Sequence, residues 1–167
     1  ELGTPLTDLM AGEAVEATPA YLDRLAEAAE GADAVVLAEP YLHPALAAAG
    51  VDLPFVYDAY NVESDLKRMV IPHSAAGLRV LARIERLEQE VCRDAEVITA
   101  CSEHDAHSLA DSVGRPRHDA VVVPNGTDVA HVVPAGPAER ADRQARWLRT
   151  YAAEARRRHP HYQREMF

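Results

Sequence analysis

Most of the polar side chains that could bind or act on a ligand directly follow short apolar segments of the chain. They stand in four places, at residues 39–43, 58–63, 101–104 and 124–128, and comprise carboxylates, an imidazole, amides and a hydroxyl. Such groups suit a polar, anionic or sugar ligand, because hydroxyls need directional hydrogen-bond partners and phosphates bind exposed backbone N–H groups. The candidate ligand-binding residues are Glu39, His43, Asn61, Glu63, Ser102, Asn125, Gly126 and Asp128.

Each of these residues also has a purely structural interpretation. Asn61 and Glu63 fit the N-cap and a first-turn acid of a helix. Ser102 fits the first position of a capping box, and Pro124–Gly126 is ordinary turn chemistry. For His43, a capping or packing role and a ligand-binding role are equally compatible with its position after a strand. The local pattern leaves both interpretations open.

Other site chemistries find little support in the sequence. His104 and His107 share a helix face, but their spacing does not match a metalloprotease motif and no third ligand is marked. Ser102 lacks the flanking glycines of a nucleophile elbow, and no Gly-rich phosphate loop is present. Cys92 and Cys101 suit small buried hydrophobes in a reducing compartment better than a disulfide. We therefore expect neither a metal centre nor a hydrolase triad.

The elements that must position these residues are strands and helices in alternation. Apolar runs without alternation are typical of parallel strands covered on both faces, and capping residues, terminal glycines and three-four spacing indicate the helices. This order predicts a parallel α/β sheet whose strand-end loops converge on one rim. In the longest helix, Glu88 falls outside the apolar stripe. The predicted strands cover 33–38, 53–57, 95–100 and 119–123, and the predicted helices cover 19–30, 43–49, 74–94, 102–111 and 139–158.

Length and composition favour one globular core. The chain has 167 residues, of which 48% are apolar. Residues 1–138 carry 9 basic and 23 acidic side chains, so this body repels nucleic acid and anionic lipid. Residues 139–167 form a basic tail with 8 basic and 4 acidic side chains. No apolar run approaches the roughly 18 residues of a spanning helix, and no signal peptide is recognisable, so the cytoplasm is the expected location.

Four motifs stand at the ends of the predicted elements, and in chain order they are Tyr60-Asn61-Val62-Glu63, the helix end from Glu88 to Asp94, the strand and turn from Val97 to Glu103, and Pro124-Asn125-Gly126-Thr127-Asp128. Their order and spacing resemble the later half of the N-terminal domain of GT-B fold retaining glycosyltransferases, of the glycosyltransferase family four type. The resemblance covers roughly residues 33–130. Relatives commonly carry histidine where this chain has Tyr60, so an imidazole role at that position is absent.

This resemblance implies a Rossmann-like doubly wound parallel sheet, one half of a GT-B enzyme and truncated at both ends. Residues 1–133 would form part of the acceptor-side domain, and residues 134–167 a hinge loop and helix leading to a missing donor-binding domain. In that arrangement, the candidates from Glu39 to Ser102 line the acceptor cleft. Asn125, Gly126 and Asp128 lie near the hinge.

The implied activity is glycosyl transfer, of the hexosyltransferase type, from a nucleotide diphosphate sugar to a carbohydrate or other small acceptor with retention. The nucleotide sugar is a co-substrate, and neither a metal nor another cofactor is expected. The paired-glutamate motif of the family and its N-terminal glycine-rich loop are not visible. The chain alone is therefore expected to be inactive.

An alternative of another class is a stand-alone α/β binding or interaction module without catalysis, whose basic segment Arg156–Arg158 contacts an acidic partner. A gene that continues past Phe167 with a strand, a Gly-rich turn and paired glutamates would favour the enzyme. The chain begins at Glu1 rather than methionine, which is expected of a fragment. A truncated two-domain protein should expose an apolar interface and could self-associate through it. Candidates for that interface are Trp147, Leu148 and Tyr151.

Overall fold

The computed structural model describes residues 6–126 and 136–158, and for residues 148 and 151–158 it describes the backbone alone. The chain divides into two compact units, Glu1–Asn125 and Gly126–Phe167. This division falls earlier than the domain boundary predicted at residue 133, which stays a prediction.

The first unit is built on a four-stranded parallel sheet with strands in sequential order, flanked by helices. This confirms the predicted Rossmann-like α/β fold. Short 3-10 segments at Val15–Ala17, Pro40–Leu42 and Arg117–Asp119 lie between the main elements. The strands are β1 (Val35–Leu37), β2 (Phe55–Ala59), β3 (Val97–Ala100) and β4 (Ala120–Val122), and the helices are α1 (Thr7–Glu13), α2 (Pro19–Ala29), α3 (His43–Ala48), α4 (Glu63–Val70), α5 (Ala75–Asp94) and α6 (Glu103–Ser112).

The bounds of β2 differ from the prediction, α1 was not predicted, and for α4 only the start near Asn61 and Glu63 was considered. β2 begins at Phe55 and continues through Asp58 and Ala59, which were expected to lie in a loop. Pro54 has no N–H to donate to a sheet, although its carbonyl accepts the Val35 N–H at 3.0 Å. At the other end, the Thr99 hydroxyl of β3 donates to Asp58 Oδ1 at 2.5 Å. This bond joins the side chains of two residues that are paired in register, one position before the last pair, Ala59 and Ala100.

The helix terminators follow the sequence pattern. Gly31, Gly50 and Gly114 have φ angles of 76°, 68° and 72° and follow α2, α3 and α6, as predicted. Ser74 caps α5 by accepting the Gly77 N–H at 3.1 Å. These signals are local, so the helix bounds could be predicted closely.

Two apolar clusters hold the unit together. In the larger one, the helices α3, α5 and α6 pack on one face of the sheet. The smaller one lies among α1, the segment Pro40–Leu42 and the α4–α5 hairpin. Glu88 of α5 was predicted on the polar side of its helix, but its side chain is only 3% exposed. That prediction is wrong, because a neighbouring helix N-terminus covers it.

The other face of the sheet is partly open. Val36 of β1 and Val121 of β4 are 68% and 47% exposed. Residues that are paired in register on neighbouring strands point to the same face of the sheet. The buried row is Leu37, Tyr57 and Ile98, and the row on the open face is Val36, Val56 and Val97.

The second unit contains α7 (Pro137–Arg158). Its described side chains are mostly exposed, and two i,i+4 pairs run along it, Glu139 with Arg143 at 2.5 Å and Asp142 with Arg146 at 2.7 Å. Trp147 is exposed, whereas the side chains of Leu148 and Tyr151 lie outside the described part. Across the described residues, every helix is too short or too polar to cross a bilayer.

Candidate functional site

A polar cluster lies where the carboxyl ends of β1 and β2 lead into the segment Pro40–Leu42 and α4. The Tyr41 hydroxyl donates to Glu63 Oε2 at 2.8 Å. Lys67, one turn along α4, pairs with Asp8 of α1, and its Nζ lies 3.9 Å from Glu63 Oε2. Lys67 Nζ also stands 5.6 Å from the Tyr41 ring centre. We call Asp8, Tyr41, Glu63 and Lys67 the Tyr41 cluster.

The electrostatics of the Tyr41 cluster fix its protonation. Burial raises the pKa of Tyr41, and so does the hydrogen bond to the Glu63 carboxylate, so the phenol remains a donor. For Asp8, burial acts to raise the pKa, but hydrogen bonding and charge attraction from Lys67 outweigh it and lower the pKa. These effects keep Asp8 as a carboxylate and Tyr41 as a neutral phenol.

The N-terminus of α4 is capped by a carboxylate from another helix. Glu88 Oε1 accepts the Glu63 N–H at 2.6 Å, and Glu88 Oε2 accepts the Ser64 N–H at 3.1 Å. The N-cap position itself is Val62, whose side chain makes no capping bond. The interpretation of Asn61 as the N-cap is therefore wrong.

Asn61 is left without the structural role that its position predicted. Its side chain is partly exposed, yet its Oδ1 is buried and has no hydrogen-bond partner within the described part of the chain. Burying a hydrogen-bond acceptor without a donor lowers the stability of the fold by about 1–3 kcal/mol, so such atoms are rare in folded proteins. The Asn61 amide stands at the rim, immediately before the capped helix.

Two of the candidate residues lie beside other strand ends. Ser102 caps α6, since its Oγ accepts the Asp105 N–H at 3.1 Å and donates to Asp105 Oδ2 at 2.8 Å. This confirms Ser102 as the N-cap, while Asp105 bonds back to the Ser102 hydroxyl and not, as in a full capping box, to its backbone N–H. Glu39 is exposed two residues after the end of β1, and its carbonyl accepts the Leu42 N–H. Both residues belong to the rim loops.

The remaining candidates are not brought into this group. Asn125 and Gly126 are exposed after β4, and Asp128 lies outside the described residues. His43 points away from the rim. Its Nε2 is 3.5 Å from Asp94 Oδ2, and its ring centre is 5.3 Å from that of Phe55.

The contacts of His43 place it at the opposite end of the sheet, because Phe55 begins β2 and Asp94 ends α5. An open cavity of about 790 Å³ lies there, lined partly by His43, Asp52 and Glu96. The cavity therefore lies at one end of the sheet, whereas the Tyr41 cluster and Asn61 lie at the other, so the two features point to different places for the site. We favour the rim, since ligands of open parallel sheets bind beyond the carboxyl ends of the strands.

Neither histidines nor cysteines form a reactive cluster in the described residues. No group of three His, Cys, Asp or Glu side chains there could hold a metal ion. Cys92 is buried, and burial raises the pKa of its thiol to about 12, which fits the predicted packing role. Cys101 is only partly buried at the end of β3.

The sequence pattern missed four residues of this region: Asp8, Tyr41, Lys67 and Glu88. Only the i,i+4 spacing of Glu63 and Lys67 carried a local signal. The other contacts join residues more than twenty positions apart in the chain.

The sequence profile of the glycosyl transferase 4-like domain matches residues 3–126. The match includes every helix and strand of the first unit, from α1 to β4. Neither a curated protein nor a solved structure shows significant similarity to the chain.

Proposed function

The chain belongs to the glycosyl transferase 4-like domain family, and on that basis we propose that the protein transfers a hexosyl unit from a nucleotide diphosphate sugar to a small acceptor. The transfer retains the anomeric configuration and uses no bound metal. The observation that carries the proposal is the family match across residues 3–126. The polar loops at one rim of the parallel sheet support it, since sugars need directional hydrogen-bond partners.

We assign the acceptor to the first unit and the donor to a second domain of the intact protein. Residues 1–138 carry 9 basic and 23 acidic side chains, a balance that disfavours a diphosphate. The charge that develops on the leaving diphosphate needs basic side chains or helix N-termini. The 167-residue chain alone is then inactive.

Within the rim, the residues divide into ligand contacts and supports. Glu63 is 14% exposed, and one of its oxygens is bonded to Tyr41, so it serves mainly to hold the site. Asn61 has a buried Oδ1 without a partner in the described structure, and Glu39 is exposed at the rim, so we assign these two residues as the acceptor contacts. Because this oxygen is buried, the Asn61 amide must turn toward the rim before Oδ1 accepts from a sugar hydroxyl.

A thermal-shift titration tests the donor assignment. The intact protein and the 167-residue chain are each titrated with a panel of nucleotide diphosphate sugars. Ligand at a hundred times its Kd stabilises a protein by about 2.7 kcal/mol, which raises Tm by several degrees. We expect this rise in the intact protein only. A response from neither supports the stand-alone binding module, and a response from the short chain contradicts the division of the two sites.

Alanine substitution tests the acceptor assignment. With the donor that gives the largest thermal shift, Asn61→Ala in the intact protein should lower kcat/KM for the acceptor roughly tenfold or more. Gln144→Ala, an exposed change on α7, is the control. Equal turnover by Asn61→Ala and wild type would remove Asn61 from the site.

A further inference from the structure

α4 begins at the rim, and its first N–H groups need partners from outside the helix. Local sequence offers Asn61, but the N-cap is Val62, which has no acceptor atom in its side chain. The partner comes from Glu88, 25 residues after Glu63. The start of α4 is therefore set by α5 and not by its own flanking sequence.

The geometry of this cap fixes both position and direction. The two carboxylate oxygens of Glu88 accept separate N–H groups, from Glu63 at 2.6 Å and Ser64 at 3.1 Å. A negative group at a helix N-terminus is favoured by the helix dipole and makes strong charge-assisted bonds. With two bonds to consecutive residues, the first turn of α4 cannot slide or rotate without breaking one of them.

Stability alone does not account for this carboxylate. The Glu88 side chain is 3% exposed, and burying a charge costs free energy that its partners only partly return. Consistent with that cost, burial raises the pKa of Glu88 despite the opposing hydrogen bonds from Ser64 and Glu63. A serine or aspartate at the N-cap would accept the N–H of Ser64, the second helical residue, without burying a charge, but it would not reach the N–H of Glu63.

The cap is connected to the candidate site through Glu63. The Glu63 N–H is bonded to Glu88, and the Glu63 carboxylate is bonded to Tyr41. Asn61 stands two residues before the capped position. A shift of the first turn of α4 would thus move Asn61 and Glu63 together.

We propose that Glu88 is the positioning residue of the acceptor site: it holds the first turn of α4 so that Asn61 and Glu63 keep their places at the rim. This inference rests on the proposed function for its effect on turnover. The geometric part stands without it.

Amide hydrogen exchange resolved to single residues tests the geometric part in the intact protein. The first N–H groups of a helix ordinarily exchange fast because they lack helical partners. In the wild type, we expect Glu63 and Ser64 to be protected. Glu88→Gln keeps one acceptor oxygen and replaces the other with an NH2 group, so at least one of the two amides should exchange roughly tenfold faster or more.

Val91→Ala is the matched control for this measurement. Val91 lies on the same helix, is fully buried and packs in the apolar core against the sheet. It should lower overall stability without selectively releasing the amides of Glu63 and Ser64. If Glu88→Gln leaves both amides protected, or if the two variants have the same exchange pattern, the proposal is overturned.

Turnover tests the functional part. Glu88→Gln should reduce kcat/KM for the acceptor roughly tenfold or more while donor affinity is unchanged, and Val91→Ala should leave both near wild type. Selective release of the amides with unchanged kcat/KM would reduce Glu88 to a structural cap. Absence of turnover in the wild type would instead count against the proposed function, since exchange reports on the cap independently.

Discussion

The Lys67–Asp8 pair shows how single residues tie α1 to the rim. Lys67 is largely buried, pairs with Asp8 and lies near Glu63 and the ring of Tyr41. Loss of the Asp8 charge would leave Lys67 with only the more distant Glu63 carboxylate. The pair should therefore show in the pH dependence of folding.

We predict an acid-dependent loss of stability from Asp8. Its pKa in the folded protein lies below the ordinary value of 3.8, so its contribution is fully present above about pH 5 and is lost as pH falls through the lowered pKa. Asp8→Asn should destabilise the protein at pH 7 and progressively less toward pH 2, measured by urea denaturation. In a Lys67→Met background, Asp8→Asn should show much less of this pH dependence. An effect of Asp8→Asn that does not change with pH would contradict the assignment.

At the scale of elements, the α4–α5 hairpin determines where Glu88 meets α4. The turn between the helices is close, because a Cβ atom on Gly77 would lie 1.8 Å from the Pro72 carbonyl oxygen. Gly77 is buried in the first turn of α5. Helix propensity alone favours alanine over glycine by about 1 kcal/mol, whereas the contact forbids it.

We predict that Gly77→Ala destabilises the protein by about 2 kcal/mol or more, because the turn or the helix must move. Chemical denaturation measures the change. Ala76→Gly, at the adjacent exposed position, is the control and should cost about 1 kcal/mol through propensity alone. A stabilised Gly77→Ala variant would show that the hairpin is not packed as described.

For the whole molecule, the partly open sheet face is the feature with the clearest consequence. Parallel sheets are usually covered on both faces, yet Val36 and Val121 are well exposed in the first unit. An exposed apolar surface favours association. The sequence had instead suggested residues of the second unit, Trp147, Leu148 and Tyr151.

We predict concentration-dependent self-association through this face, measured by sedimentation velocity. The double variant Val36→Thr and Val121→Thr should reduce it, since threonine keeps the β-branched shape and adds a hydroxyl. Met69→Gln, at an 82% exposed position on α4, is the control and should have little effect. If Met69→Gln abolishes association instead, the contact lies on the helical side.

The sequence by itself determined the features that depend on neighbouring residues. The parallel strands, the cap at Ser102 and the terminal glycines were predicted at or near their observed places. The physical reason is that hydrophobic periodicity, capping and positive φ are local properties of the chain. The family resemblance also came from motifs that lie at these local boundaries.

Only the tertiary structure decided which polar groups meet. In the structure, His43 lies away from the rim beside Asp94. The N-terminus of α4 is capped by Glu88 and not by Asn61. The Tyr41 hydroxyl is hydrogen-bonded to Glu63. Tyr41 and Glu63 lie 22 residues apart in the chain, and Glu63 and Glu88 lie 25 residues apart. Contacts over such separations depend on how α1, α4 and α5 pack, and burial then sets the energy of each polar group. No local pattern contains that information.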